Sequence, residues 1–132
     1  MEPVRRDKDG RRGTILLVED SDVVREVIAR MLEDVGFTVL PASGGEEALS
    51  ISRREDVSFD LLLTDVVMPD MNGVELADRL ERERPGVRIL FMTGYAEDAV
   101  VNEGILGRQR ECIGKPFTQE QLTKRVREIL PP

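Results

Sequence analysis

Apolar residues in this chain fall into two alternating rhythms, short unbroken runs and stripes at helical spacing. Thr14-Ile15-Leu16-Leu17-Val18 is the first run and reads as a strand buried on both faces, ending in Glu19-Asp20. From Ser21 or Asp22 to Val35, apolar residues at Val24, Val27, Ile28, Met31, Leu32 and Val35 predict a helix that Gly36 stops. Phe37-Thr38-Val39-Leu40 predicts a short second strand. Ser43-Gly44-Gly45-Glu46 has capping-box spacing for a helix through Ala48, Leu49 and Ile51. Leu61-Leu62-Leu63-Thr64-Asp65 is a third buried strand, and Pro69 and Gly73 turn the chain soon after it. A helix carrying Val74, Leu76, Ala77 and Leu80 follows, ended near Pro85-Gly86. Val87 to Met92 is a fourth strand. Ala96 to about Asn102 predicts a helix, and the stretch with Gly104 and Gly107 is a weak one. Cys112-Ile113 marks a short fifth strand, and Thr118, with Gln121 at the box position, starts a last helix with a stripe at Leu122, Val126, Ile129 and Leu130.

Five strands alternating with five helices predict an α/β domain with a parallel sheet covered on both faces. The natural arrangement is a doubly wound five-stranded sheet of order 2-1-3-4-5, with its switch point between strands one and three. With 132 residues the chain has the size of one domain, expected over residues 13–130 and preceded by a flexible leader or linker over residues 1–12.

Charge narrows the partners. The net charge of −7 argues against direct nucleic-acid binding by the folded part, and the basic residues Arg5, Arg6, Lys8, Arg11 and Arg12 are confined to the leader. No apolar run reaches the roughly 20 residues that span a bilayer, so no membrane insertion and a cytoplasmic location are expected. Cys112 is the single cysteine, and there is no histidine. Imidazole general-base catalysis, histidine metal ligation and thiolate metal clusters are therefore excluded for this chain.

An acidic residue ending a wholly buried strand is unusual. Asp65 alone reads equally well as a helix cap. Glu19-Asp20 alone reads as a favourable start to the first helix. In the predicted strand order, however, strands one and three are neighbours, so their carboxyl ends bring three carboxylates together. Such a cluster needs cations, and a hard divalent ion such as Mg²⁺ (or Mn²⁺) with oxygen ligands meets that need. Thr93 closes strand four and Lys115 closes strand five, adding a hydroxyl donor and a compact positive charge at the same crevice. The set is complementary to a phosphoryl group. Asp65, with its pKa held down by the metal and Lys115, acts as nucleophile without needing a general base.

These residues resemble the receiver domain of bacterial two-component response regulators over about Thr14 to Leu130. The resemblance rests on Leu17-Val18-Glu19-Asp20, Asp65-Val66-Val67-Met68-Pro69 with Gly73, Thr93-Gly94 and Lys115-Pro116-Phe117. It implies a flavodoxin-like (βα)5 fold and a phosphoryl group accepted on Asp65. It also implies a metal held by Asp20, Asp65 and the main-chain carbonyl of Val67, with Glu19 acting mainly through water. Thr93 and Lys115 would hold the phosphoryl oxygens, and the Lys115-Pro116 bond would be cis. The implied donor is a phosphohistidine on a sensor histidine kinase or a histidine phosphotransfer protein. The segments Gly94 to Val100 and Lys115 to Leu122 look most like receivers at the C-terminus of hybrid sensor histidine kinases.

The resemblance implies a self-phosphorylating switch with no external product, with autodephosphorylation left open, and a monomer or weak dimer. Many receivers carry an aromatic residue three positions before the lysine. Here that position is Cys112, expected as a small buried hydrophobe, and Tyr95 is the candidate to take over part of the role. An interaction-only receiver would not need every acidic, Thr and Lys position. A flavin-binding protein of this topology would need a phosphate loop after strand one, which is absent. A haloacid-dehalogenase-like phosphatase would need an Asp where Val67 stands.

Overall fold

Three central strands carry apolar side chains at almost every position, and that composition forces helices onto both faces of the sheet. The computed structural model describes residues 13–94 and 111–130. Within them β1 is Thr14–Val18, β2 Thr38–Ala42, β3 Leu61–Asp65, β4 Arg88–Thr93 and β5 Glu111–Gly114. The helices are α1 (Asp22–Asp34), α2 (Gly45–Ser52), α3 (Gly73–Glu83) and α4 (Gln119–Ile129). All strand pairs are parallel and the order is β2-β1-β3-β4-β5, as the alternation predicted. The leader, the helix expected from Ala96, the glycine-bearing stretch after it and Tyr95 lie outside the described residues.

Strand alternation splits the core in two. Leu16, Val18, Leu62 and Phe91 point to one face, where Ala48 and Leu49 of α2 and Leu76, Ala77 and Leu80 of α3 cover them. Ile15, Leu17, Leu61, Leu63, Leu90 and Met92 point to the other, against Ile28 and Leu32 of α1 and Leu122 and Val126 of α4. A register slip of one residue would exchange the two sets, so the pairing Val18 to Thr64 is strongly specified.

Local signals explain most element ends. Ser21 caps α1 by accepting a hydrogen bond from the Val24 amide, and Gly36 stops the chain after it with φ of 104°. Thr118 and Gln121 form the expected capping box of α4. Two expectations need correction. β2 begins at Thr38 and extends through Pro41 to Ala42, which an edge strand tolerates because no further strand needs the missing N–H. Phe37 is instead buried in the core under α1. Ser43 does not cap α2: the N-cap position falls one residue later, on Gly44, which has no side chain to do so. The caps come from Asp70, whose carboxylate accepts hydrogen bonds from the amides of Gly45 (3.3 Å) and Glu46 (3.1 Å).

Candidate functional site

The register carries four strand ends to one edge of the sheet. Val18 lies beside Thr64, so Glu19 and Asp65 follow at the same level, with Met92 paired to Asp65 and Gly114 paired to Thr93. Ligand oxygens of Glu19, Asp20 and Asp65 all lie within 4.8 Å of one another. Glu19 and Asp65 are buried, whereas Asp20 is exposed. Lys115 reaches into this cluster from the end of β5, with its Nζ 2.6 Å from Glu19 Oε1 and 2.6 Å from Asp65 Oδ1.

The backbone around each group is held from more than one side. The Ser21 amide donates to the second Glu19 oxygen at 3.0 Å, so both Glu19 oxygens are engaged by protein donors. That leaves Asp20 and Asp65 as the carboxylates better placed for direct metal ligation. Arg25 donates to the Glu19 carbonyl at 2.8 Å and pairs with Asp22, fixing the turn after β1. The Lys115 amide donates to the Thr93 carbonyl at 2.7 Å, and the Lys115-Pro116 peptide is cis. Thr93 itself closes β4 half-buried. After β3, the chain bends back so tightly that a Cβ at Gly73 would collide with the Asp65 carbonyl oxygen. The Gly73 amide closes that bend on the Val66 carbonyl at 2.7 Å. Val67, between these anchors, faces solvent.

Burial pushes the Asp65 carboxyl up to about 7, and neighbouring Glu19 adds to the rise, outweighing the Lys115 ammonium. Lys115 alone therefore does not hold Asp65 down. Burial also raises Glu19, but Lys115, the hydrogen bond with Asp65 and the Ser21 amide together bring it below its ordinary value. Burial works against the charged form of Lys115, yet the two carboxylates raise its pKa overall. Three carboxylates facing one ammonium leave an excess of two negative charges. A divalent cation matches that excess, and an all-oxygen donor set suits Mg²⁺ or Mn²⁺. Receiver domains bind Mg²⁺ at an acidic pocket of this kind.

A cleft of about 850 Å³ opens from the acidic cluster along α1, between Val24, Val27 and Met31 on one side and Phe117 on the other. The α1 stripe that reads as core in the sequence is only partly so. Ile28 and Leu32 are buried, whereas Val27 is 48% exposed, and Val23, outside the stripe, is 73% exposed. Val24 and Val27 line the open cleft instead, and sequence periodicity carries no information about where a cleft opens. Cys112 also departs from expectation. It is exposed, because Ile113 is the β5 residue that turns into the core, while Cys112 sits on the opposite face of an edge strand. Among the described residues, no helix is long and apolar enough to cross a membrane.

Residues 15–127 match the family described as the response regulator receiver domain. The sensor kinase CckA of Brucella abortus is 39% identical over 117 residues, which is 89% of this chain and 12% of that protein. The response regulator receiver protein CpdR of the same organism is 35% identical, covering 88% of this chain and 95% of that one. Among solved structures, the receiver domain of the hybrid histidine kinase CckA superposes with a TM-score of 0.72 at 33% identity, covering 88% and 97% of the two chains. With the doubly wound sheet and the acidic cluster at its switch point, this match means that the chain belongs to the response regulator receiver domain family of two-component signalling.

Proposed function

We propose that Asp65 is the phosphoacceptor of this receiver and that it takes its phosphoryl group from a phosphohistidine of a sensor histidine kinase or a phosphotransfer protein. The observation that carries the reading is Lys115 Nζ held 2.6 Å from both buried carboxylates, Asp65 and Glu19, with Asp20 beside them. Asp65 attacks phosphorus as the carboxylate. The bond from phosphorus to the imidazole nitrogen breaks as the bond to the Asp65 oxygen forms, and the imidazole leaves with the electron pair. Lys115, released from one carboxylate oxygen as that oxygen becomes an acyl phosphate, pairs with a phosphoryl oxygen, and the Thr93 hydroxyl donates to another.

Asp20, Asp65 and the Val67 carbonyl would hold Mg²⁺ directly, with Glu19 acting through water. When bound there, the ion would offset charge on the phosphoryl oxygens and favour the ionised form of Asp65. The exposed valines of α1 supply an apolar rim for a donor protein next to the nucleophile. The similarity to CckA supports a place for the chain as the receiver of a hybrid kinase, while the near-complete coverage of CpdR supports a stand-alone regulator equally. Beryllofluoride with Mg²⁺, a mimic of the acyl phosphate, is expected to bind the protein, and D65N to lose at least a hundredfold in affinity on the scale of transition-state-complementary contacts, about 3 kcal/mol. Equal binding by wild type and D65N, read by fluorine NMR, would remove Asp65 from this role.

A further inference from the structure

We propose that Asp70 is a positioning residue for the metal site, holding the loop that carries Val67 by capping α2 from outside that helix. The inference rests on the reading of Val67 as a carbonyl ligand.

The loop from Val66 to Asn72 is tied at both ends. The Val66 amide donates to the Met92 carbonyl at 3.3 Å, and Asn72 caps α3 by accepting from the Glu75 amide at 2.8 Å. Between them, Met68 and Met71 are buried, which sets the depth of the loop. Methionine is too flexible to set the direction of a neighbouring carbonyl. Asp70 supplies a directional tie, because its two oxygens each accept one amide of the first turn of α2. The donor residues lie 25 and 24 positions earlier in the chain.

The surface of α2 is shaped for this contact. A Cβ on Gly44 would stand 2.9 Å from both Asp70 carboxylate oxygens, and one on Gly45 would stand 2.8 Å from Met71 Sδ. Gly44 has an extended backbone with φ of −174°, open to any residue, so the close approach alone explains the glycine. With the loop's middle anchored on α2, Val67 is presented at the acidic cluster although its own side chain is 60% exposed and contributes little anchorage. The pair Arg53–Glu83 joins α2 to α3 at their other ends, through bonds of 3.0 and 2.8 Å. It serves as a control that loosens the same two helices without touching the loop.

The test is calorimetric titration of Mg²⁺ alone into the full chain, with amide exchange followed at Gly45 and Glu46. D70A is expected to weaken Mg²⁺ binding about tenfold, the lower end of what loss of a ligand-orienting partner does. G44A, which displaces the carboxylate while leaving its charge, shifts affinity in the same direction. D70N removes the same charge but still accepts a hydrogen bond, and it stays within about threefold of wild type. R53A stays within about twofold, as exposed ion pairs contribute little. Exchange at the Gly45 and Glu46 amides rises in D70A and not in R53A. Unchanged binding by D70A, or equal weakening by R53A, overturns the assignment. Wild-type protein that binds Mg²⁺ no better than D65N would overturn the site itself, and the role of Asp70 with it.

Discussion

Asp65, at the end of β3, and Asp70, on the loop that follows, stand five residues apart and are held in opposite states. Asp65 is buried beside Glu19, and its pKa is pushed up to about 7. Asp70 is near the surface, and the amides of Glu46 and Gly45 lower its pKa. The chemistry of the two side chains is identical, so the difference lies in what each carboxylate faces. One is stripped of water by burial and stands beside a like charge, the other meets a pair of amide donors at a helix N-terminus. One acid is thus buried against Glu19 and Lys115, and the other is tied to the first turn of α2.

Three measurements test this contrast. The largest effect is expected from K115A in metal-free protein at pH 8. Removing the ammonium leaves Glu19 and Asp65 buried without a partner, and urea denaturation should show a loss of about 3 kcal/mol. Added Mg²⁺ should recover much of that loss. If stability were unchanged, Lys115 would not be the counter-charge of the cluster.

A smaller effect of opposite sign is expected from D65N. Because the folded pKa of Asp65 lies above its unfolded value, the folded state holds this proton more tightly. Its contribution to stability is fully present below about pH 4 and is lost as pH rises towards 7. Metal-free D65N should therefore be more stable than wild type at pH 8 by about 2 kcal/mol and equal to it near pH 4. A constant difference across that range would mean that Asp65 does not titrate as described.

Smallest is the loss in D70A, about 1 kcal/mol, the usual effect of removing a helix cap. The sign of its pH dependence is reversed. The folded pKa of Asp70 is lowered, so its stabilisation is present above the unfolded value near 3.9 and disappears as pH falls through the folded one. Wild type and D70A should converge in acid, where wild type and D65N also converge, but from the other side. Thermal unfolding at pH 3 and pH 7 distinguishes the two patterns.

What could be read in advance follows the range of the interactions. β1, β3 and β4 are unbroken apolar runs, and a run of that kind has few other places to go than the middle of a parallel sheet. Once their order is predicted, Glu19, Asp20, Asp65, Thr93 and Lys115 fall at one edge by counting along the strands. The caps of α1 and α4 are equally local, each within three residues of its helix. The cap of α2 is not local, because its acceptor comes from another loop. The exposed valines of α1 and the exposed Cys112 escape the pattern, because periodicity gives the direction of a side chain and not what lies opposite it.

Patterns only a few residues long carry the alternation of strands and helices, the family motifs and the residues at the carboxyl ends of β1, β3 and β4, but not the end of β2, which runs on to Ala42. Only packing sets Lys115 between two carboxylates, pushes the Asp65 pKa up to about 7 through burial, and binds Asp70 to α2. Those properties depend on burial and on distances between segments far apart in the chain, and Coulomb and desolvation energies change steeply over a few ångströms.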